Sequence, residues 1–309
     1  MSKIGSIKRD ETITRTLIHA ALIAGALSMM APFIWMIMTS FKTPSEAIDK
    51  NVIFPQQVFT DAKTAYNDGS ESEGITSGIT AYIQTFFKNY LKAWNTRKVD
   101  FKQCFINSAF VALTCTIGQL ITCSLAAFAF SHMRFPGKDF IFLIMLASMM
   151  CPPQVLLIPN FMLLMKLGWI NTYYALIVPW ICSFFGIFLL RQFFMTMPKD
   201  LWDAARIDGC TRFKFFTKIL IPLSIAPLTT IAVFTFVGNW NSFFWPLIVT
   251  NDKSLATIQV GLSYFNNSEG TQWDLLMAAS TFAILPLLIG FFLAQKQFIQ
   301  GMAHTGSKE

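Results

Sequence analysis

Six long apolar stretches, at about residues 16–41, 105–130, 139–165, 174–195, 219–250 and 275–295, alternate with polar segments along this 309-residue chain. Each is long enough, as a helix rising about 1.5 Å per residue, to cross a hydrocarbon core of about 30 Å. The pattern predicts an all-α integral membrane protein with six transmembrane helices and both termini on one side. The longest polar interval, 42–104, carries the turn signals Thr43-Pro44, Asn67-Asp68-Gly69 and Glu73-Gly74, then an aromatic stretch from Tyr82 to Trp94. It reads as a small, partly helical cap. Phe86, Phe87, Tyr90 and Trp94 fall near helical spacing and read as packing on the membrane surface or a neighbouring subunit rather than as ligand contacts. The expected divisions are a terminus at 1–15, a first helix at 16–41, an extracytoplasmic loop at 42–104, a five-helix domain at 105–295 and a tail at 296–309.

Composition agrees with that solvent. Apolar residues make up 54% of the chain and charged residues 13%, so the apolar surface belongs in lipid rather than in one soluble core. The first stretch, Leu17 to Phe41, is too long for the 7–15-residue apolar core of a secretion signal. Basic residues set the orientation. Lys3, Lys8, Arg9 and Arg15 precede the first span, Arg134 and Lys138 lie in the second loop, and Lys199, Arg206, Arg212, Lys214 and Lys218 lie in the fourth. The short third and fifth loops hold only Lys166 and Lys253, so both termini and the fourth loop are expected to be cytoplasmic. The net charge of +7 follows from this asymmetry and does not indicate nucleic-acid binding.

Several chemistries find no support. Four of the six cysteines, Cys115, Cys123, Cys151 and Cys182, sit inside apolar stretches, and no CxxC spacing occurs. The histidines His19, His132 and His304 are scattered, no metal-ligand cluster is visible, and the chain has neither a nucleophilic catalytic set nor a phosphate-binding loop. Residues 105–130, 140–165 and 219–250 contain no Asp, Glu, Lys or Arg, which argues against an ion-coupled carrier.

Two apolar stretches carry features suited to lining a path. Cys151-Pro-Pro-Gln154 and Pro159-Asn160 interrupt the third, freeing backbone groups that protein or a water-filled cavity must satisfy. The fifth contains Gly238-Asn-Trp-Asn-Ser-Phe-Phe-Trp-Pro246. Asn239 and Asn241 offer amide donors and acceptors, and Trp240 and Phe243 offer ring faces, a mixture that suits a sugar. Gln154 and Asn160 join them as candidates. Helix packing is the alternative for this set, and an interfacial belt is the alternative for Trp245.

The polar island from Leu201 to Leu223 separates the fourth and fifth stretches. Asp203 to Ile207 and Phe213 to Ile219 have helical spacing, and Gly209 between them can take the positive φ that ends one helix and starts another. The expected result, over 199–219, is a helix-turn-helix knob, with Asp208 capping its second helix. Ala204 and Ala205 permit close approach, while Arg206 and Arg212 offer charge. A membrane-surface hairpin with snorkelling bases is the plain alternative.

Asp203, Ala204, Ala205, Asp208 and Gly209, followed by Phe216, Ile219 and Pro222, stand at the spacing of the E-A-A-x-x-D-G loop of ABC-importer membrane subunits, which the chain resembles. It departs in two places: Asp203 replaces the first glutamate, and Cys210 replaces the alanine after the glycine. Asn107-Ser108, Ala126 to Phe130, Phe135-Pro-Gly-Lys138, Asn239-Trp-Asn, Trp245-Pro-Leu247 and Gln297-Phe-Ile-Gln-Gly301 with Gly306 and Lys308 resemble the carbohydrate-uptake, maltose-system-like branch. That resemblance implies a type I ABC-importer permease fold with cytoplasmic coupling helices, in a bacterial inner membrane. It also implies a second homologous permease, two copies of an ABC ATPase that bind the ATP and Mg, and an extracytoplasmic solute-binding protein; this chain itself would bind no cofactor. Asn266, Asn267 and Gly270, in the outer loop between Asn251 and Asp274, would approach the binding protein. Import of a glycerol-phosphate compound is the rival within this architecture, and a membrane scaffold or enzyme is the rival outside it.

Overall fold

A computed structural model describes residues 2–49, 51–73, 75–96, 100–267 and 270–306. Gly74 and Lys308, named above, lie outside the described residues, as do Ser268 and Glu269 between Asn267 and Gly270. The chain divides into two compact units, Met1–Trp94 with Phe265–Phe282, and Asn95–Tyr264 with Ala283–Glu309.

In the first unit α1 (Ser2–Ser40) contains the apolar run Thr14–Ser40, which the chain leaves exposed from Thr14 to Trp35 and buries only at its end, at Thr39 and Ser40. A helix apolar on all sides and uncovered is solvated by lipid or by another subunit. A short polar turn then starts α2 (Pro44–Ile48), where Thr43 caps the helix and Glu46 completes a capping box, with Pro44 in the first turn. Glu46 is buried because three backbone N–H groups satisfy it: those of Thr43, Gln56 and Gln57, at 3.0–3.1 Å. Lys42, 2% exposed, donates to the Val52 carbonyl at 2.5 Å, with its ammonium 4.8 Å above the Trp35 ring. The Asn89 amide donates to the carbonyls of Ser40 and Lys42 at 2.9 and 2.7 Å. These bonds fasten the segment after α1 to α1 itself.

The interval 42–104, expected to be partly helical, is largely helical. It contains α3 (Gln56–Glu73), α4 (Ile75–Phe86) and α5 (Lys88–Trp94). Asn67-Asp68-Gly69, expected as a turn, lies inside α3. Gly69 serves a different purpose there: a Cβ added to Gly78 of α4 would stand 2.8 Å from the Tyr66 carbonyl, and one added to Gly69 would stand 3.1 Å from the Gly78 Cα. The two glycines let α3 and α4 pack backbone to backbone. The aromatic stretch packs within its own unit. Phe41 meets Phe86, Phe87 and Tyr90 at centroid distances of 4.7, 5.9 and 5.3 Å, and Phe282 meets Tyr90 and Trp94 at 5.4 and 5.1 Å.

The second unit is arranged around α6 (Phe101–His132), capped by Asp100, whose carboxylate accepts the Gln103 N–H at 3.0 Å. Its buried face carries small residues, including Cys104, Ala112, Cys115, Cys123 and Ala127, so neighbouring helices approach closely. The third predicted stretch is not one helix. It forms α7 (Lys138–Ser148) and α8 (Leu157–Lys166), of 11 and 10 residues, separated at Pro152-Pro153. The fourth contains α9 (Tyr173–Ile177), a 3-10 turn at Val178–Trp180 and α10 (Phe184–Met195), and is long and apolar enough to span as a whole.

The fifth stretch is also revised. After α11 (Lys199–Ile207) come α12 (Arg212–Phe215), a π turn (Phe216–Leu220) and α13 (Ile221–Leu223), and the chain bends by 78° into α14 (Ile225–Trp240). The chain breaks again at 241–243 before α15 (Phe244–Val249), so 219–250 is not one continuous span. A 3-10 turn (Lys253–Leu255), α16 (Ile258–Ser263), the two-residue strands β1 (Asn266–Asn267) and β2 (Gly270–Thr271), and α17 (Trp273–Gly306) complete the chain. Among the described residues four helices are long and apolar enough to cross a membrane, or five if the bent pair counts as one.

Asn107 holds the 250–258 segment onto α6. Its amide donates to the Ser254 and Ala256 carbonyls at 2.8 and 2.9 Å, and its oxygen accepts from Gln103 and the Tyr173 hydroxyl at 2.8 and 2.7 Å. The Asp252 carboxylate caps the adjoining 3-10 turn through the Ser254 N–H, which holds it below the usual carboxylate range. Arg191 lies inside an apolar span and is 13% exposed; the sequence reading overlooked it. Its Nε donates to the Phe130 carbonyl at 3.2 Å, and its guanidinium lies 4.0 Å above the Phe142 ring.

Candidate translocation cleft and docking knob

The polar island folds as two short helices meeting at Gly209. The α11 helix ends at Asp208, whose N–H donates to the Ala204 carbonyl; Gly209 then takes φ +73°, and the Cys210 N–H returns to the Ala205 carbonyl at 2.8 Å. This is the left-handed termination that glycine tolerates best. Thr211, not Asp208, caps α12, accepting the Lys214 N–H at 3.3 Å, because Asp208 still belongs to the end of α11. Trp202 packs edge-on against Phe215 at 4.9 Å, Phe216 lies 5.1 Å from Phe128, and Phe215 and Phe216 are buried.

That aromatic root leaves the outer surface of the knob free. Asp203, Ala204, Arg206, Asp208, Gly209 and Arg212 are exposed, while Ala205 faces inward at 7%. Leu201, Ile207 and Phe213 are also exposed, Ile207 by 86%, so the knob joins charges to an apolar surface suited to a protein partner. Behind it the π turn carries the Ile221 N–H to the Phe216 carbonyl, and the buried Ser224 hydroxyl donates to the Leu220 carbonyl at 2.6 Å, at the 78° bend.

Along α14 the helix borders a cleft of about 350 Å³. Gln119, Ser183, Thr235, Asn239 and Ser242 supply its polar groups, with Trp180 and Phe185 among its aromatic walls. The Thr235 hydroxyl donates to Gln119 Oε1 at 2.7 Å, and Gln119 Nε2 donates to the Trp180 carbonyl at 2.8 Å. Asn239 Nδ2 donates to the Thr235 carbonyl at 2.9 Å. Its amide retains further hydrogen-bonding capacity toward the cleft.

Asn239 is therefore on the cleft, but the rest of the predicted set disperses. Trp240 is 1% exposed, donates Nε1–H to the Ala283 carbonyl at 2.9 Å, and packs on Phe105 and Phe236 at 5.3 and 5.6 Å. Successive helical residues point roughly 100° apart, so Asn239 and Trp240 cannot both face the same cavity. Asn241 is exposed at the end of α14, where its oxygen accepts from Gln259 at 3.2 Å. Phe243 packs against a cluster of Cys104, Ala256 and Val260, and Gln154 and Asn160 are exposed and do not line the cleft. Trp245 is buried and donates to the Ala175 carbonyl at 2.9 Å, so it is a packing residue rather than part of an interfacial belt. Thr235, Ser183 and Ser242 were missed. Thr235 and Asn239 stand at i and i+4 on α14, the one signal that pairs them in the sequence.

In the loop between α16 and α17 Asn266 pairs with Thr271 and Asn267 with Gly270 in a short antiparallel hairpin, where Gly270 takes φ +120°. Asn266 Oδ1 accepts the Thr271 hydroxyl at 2.9 Å.

Four long apolar helices, a polar cleft beside α14 and an exposed two-helix knob fit a membrane transport subunit. Residues 119–304 match the family described as the binding-protein-dependent transport system inner membrane component. The chain is 31% identical over 304 residues to the probable ABC transporter permease protein YurM of Bacillus subtilis (strain 168), covering 97% of this chain and 91% of that one. It is 36% identical over 222 residues to the arabinooligosaccharides transport system permease protein AraQ of the same organism, covering 72% and 79%. With the sn-glycerol-3-phosphate transport system permease protein UgpE of Agrobacterium fabrum it shares 30% identity over 298 residues, covering 96% and 98%. The chain belongs to this family of ABC-importer permeases and is a transport subunit, not an enzyme. Its fold matches a chain of a bacterial ABC transporter involved in import of the acidic polysaccharide alginate, with a TM-score of 0.75, 20% identity and coverage of 94% and 98%.

Proposed function

We propose that this permease forms, with a second homologous permease, an alternating-access path for a sugar or oligosaccharide across a bacterial inner membrane. The observation that carries the reading is one continuous connection: the exposed knob leads through the π turn and the 78° bend into α14, whose far end borders the polar cleft. Two ABC ATPase subunits, binding ATP and Mg, would grip Asp203 to Gly209 and Arg212. Their closure would move the knob, and α14 would carry that movement to Thr235 and Asn239. A ligand or partner shifts a conformational equilibrium only through contacts that differ between states, and the knob is the surface available for such contacts. In this arrangement the chain crosses the membrane six times, with α7 and α8 forming one broken crossing and both termini cytoplasmic. An extracytoplasmic binding protein would deliver solute to the face bearing Asn266, Asn267 and Gly270.

Relatives named for arabinooligosaccharides and for sn-glycerol-3-phosphate make both solutes candidates. The cleft lining favours the sugar. Its polar groups are neutral amides and hydroxyls, no Lys or Arg lines it among the described residues, and a phosphate ester needs charge compensation. Reconstitution of the full complex in proteoliposomes tests the reading, with ATP-dependent uptake of labelled arabinotriose, maltotriose and glycerol 3-phosphate measured side by side. Saccharide uptake that depends on the binding protein is expected; uptake of glycerol 3-phosphate alone would replace the sugar reading.

A further inference from the structure

The first unit holds a second cavity that the transport role described above leaves unused. It has a volume of about 570 Å³ and lies among α2, α5, β2 and the first turn of α17. Lys92, Thr271, Trp273 and Asp274 are the groups on it that can hold a ligand, with Pro44 and Ile48 on an apolar side.

Asp274 is the most deeply set of these, at 5% exposure, whereas the Trp273 indole is 45% exposed and Lys92 is open to solvent. Asp274 stands at the start of a long helix, where the backbone dipole supports negative charge. Lys92 acts on this carboxylate from a distance, with no ion pair between them within 4.0 Å; among the described residues its ammonium has no hydrogen-bond or ion-pair partner.

An anion at the bottom of a cavity, a cation held apart at its mouth and an indole beside them form an open arrangement rather than a closed salt bridge. The volume falls within the range of about 300–1,000 Å³ typical of small-molecule sites. A carboxylate accepts two hydroxyls from one sugar ring, an ammonium donates to hydroxyl or ring oxygens, and the indole covers the C–H face. We infer that Asp274, Lys92, Trp273 and Thr271 form a saccharide-binding site on the first unit, separate from the cleft beside α14. Lys92 and Asp274 carry opposite charges, so the site has no net positive charge to offer a phosphate ester, and its paired donor and acceptor suit a neutral sugar. The inference rests on the sugar reading of the transporter.

Saturation-transfer NMR on the full permease–ATPase complex in nanodiscs, without binding protein, tests it with arabinotriose and maltotriose as probes. Wild type should give a saturable signal, and Asp274→Asn should weaken it by about tenfold, the loss of one charge-assisted contact. Lys92→Gln should weaken it in the same direction. ATPase activity and size-exclusion elution of each variant report whether the complex is intact, and Trp273→Phe, which keeps a ring face, should retain most of the signal. Parallel uptake assays with the binding protein separate the two failures. Uptake of a saccharide whose bound signal is absent, or unchanged in Asp274→Asn, overturns this site alone; failure of both saccharides to be taken up or bound overturns the site together with the sugar reading.

Discussion

The turn at Gly209 allows coupling to be tested by torsion rather than by contact. Gly209 holds φ at +73°, and a Cβ added there would meet nothing within 4 Å. An alanine is therefore penalised by its backbone alone, by about 1–2 kcal/mol for an L-residue in the left-handed region, or roughly 5- to 30-fold in the population of the native turn. Asparagine tolerates that region and should cost only a few tenths of a kcal/mol. Proline cannot reach it: its ring fixes φ near −65°, it lacks the N–H that donates to the Arg206 carbonyl at 3.0 Å, and it disfavours the near-helical backbone of Asp208 at φ −75°, ψ 10°. Its penalty of about 3 kcal/mol or more removes the turn. The three variants, in the full complex in proteoliposomes, should rank Asn above Ala above Pro in solute transported per ATP hydrolysed. Membrane insertion should be equal in all three, since the knob lies outside the apolar stretches. Wild-type coupling in Gly209→Pro would refute the docking assignment. A loss in Gly209→Asn as deep as in Gly209→Pro would show that the open surface at that position, rather than its torsion, is what the partner needs.

Trp240→Ala should destabilise the second unit by about 3–5 kcal/mol, lowering the melting temperature and yield of the purified complex; an unchanged Tm would remove Trp240 from the core. Combining Thr235→Val with Asn239→Ala should raise the uptake KM by about tenfold while assembly and basal ATPase activity persist, and an unchanged KM would exclude the cleft from the path. Asn107→Ala should cost about 1–3 kcal/mol in thermal unfolding, because it leaves the buried Ala256 carbonyl without its donor; a variant as stable as wild type would mean water replaces it. Deleting Asn266 to Gly270 should preserve assembly yet lower the stimulation of ATPase activity by the loaded binding protein; equal stimulation would reduce the hairpin to a connector.

Apolar runs located the long helices well because a helix exposed to lipid must be apolar over its whole length. They could not report the direction of the axis. The stretch 219–250 reads as uninterrupted, but Pro222 and the break at Ser224 turn it through 78°, and α14 ends at Trp240 where the apolar pattern continues. Gly69 was misread for a similar reason. A glycine beside Asn-Asp marks a turn in local terms, whereas its use here, close approach to Gly78, depends on a second helix. The amide-and-aromatic composition of 238–246 pointed to the correct end of α14 but treated neighbouring positions as one surface. Helical phase separates them, putting Asn239 on the cleft and Trp240 in the core. The knob was the most legible feature, since its glycine, its flanking periodicity and its charges are all local properties; only its cap moved, from Asp208 to Thr211.

The first unit joins Met1–Trp94 to Phe265–Phe282, with residues 95–264 made in between. At a synthesis rate of about 5–20 residues per second, the ring of Phe282 that packs on Tyr90 and Trp94 leaves the ribosome roughly 10–40 seconds after they do. Throughout that delay Tyr90 and Trp94 lack the Phe282 ring, although Phe41 can already pack on Tyr90 and the polar bonds of Lys42, Glu46 and Asn89 can form. The order of synthesis thus sets an order of assembly: the part of the first unit around the end of α1 can form early, waits as an incomplete half, and closes only when Phe282 of the last helix arrives.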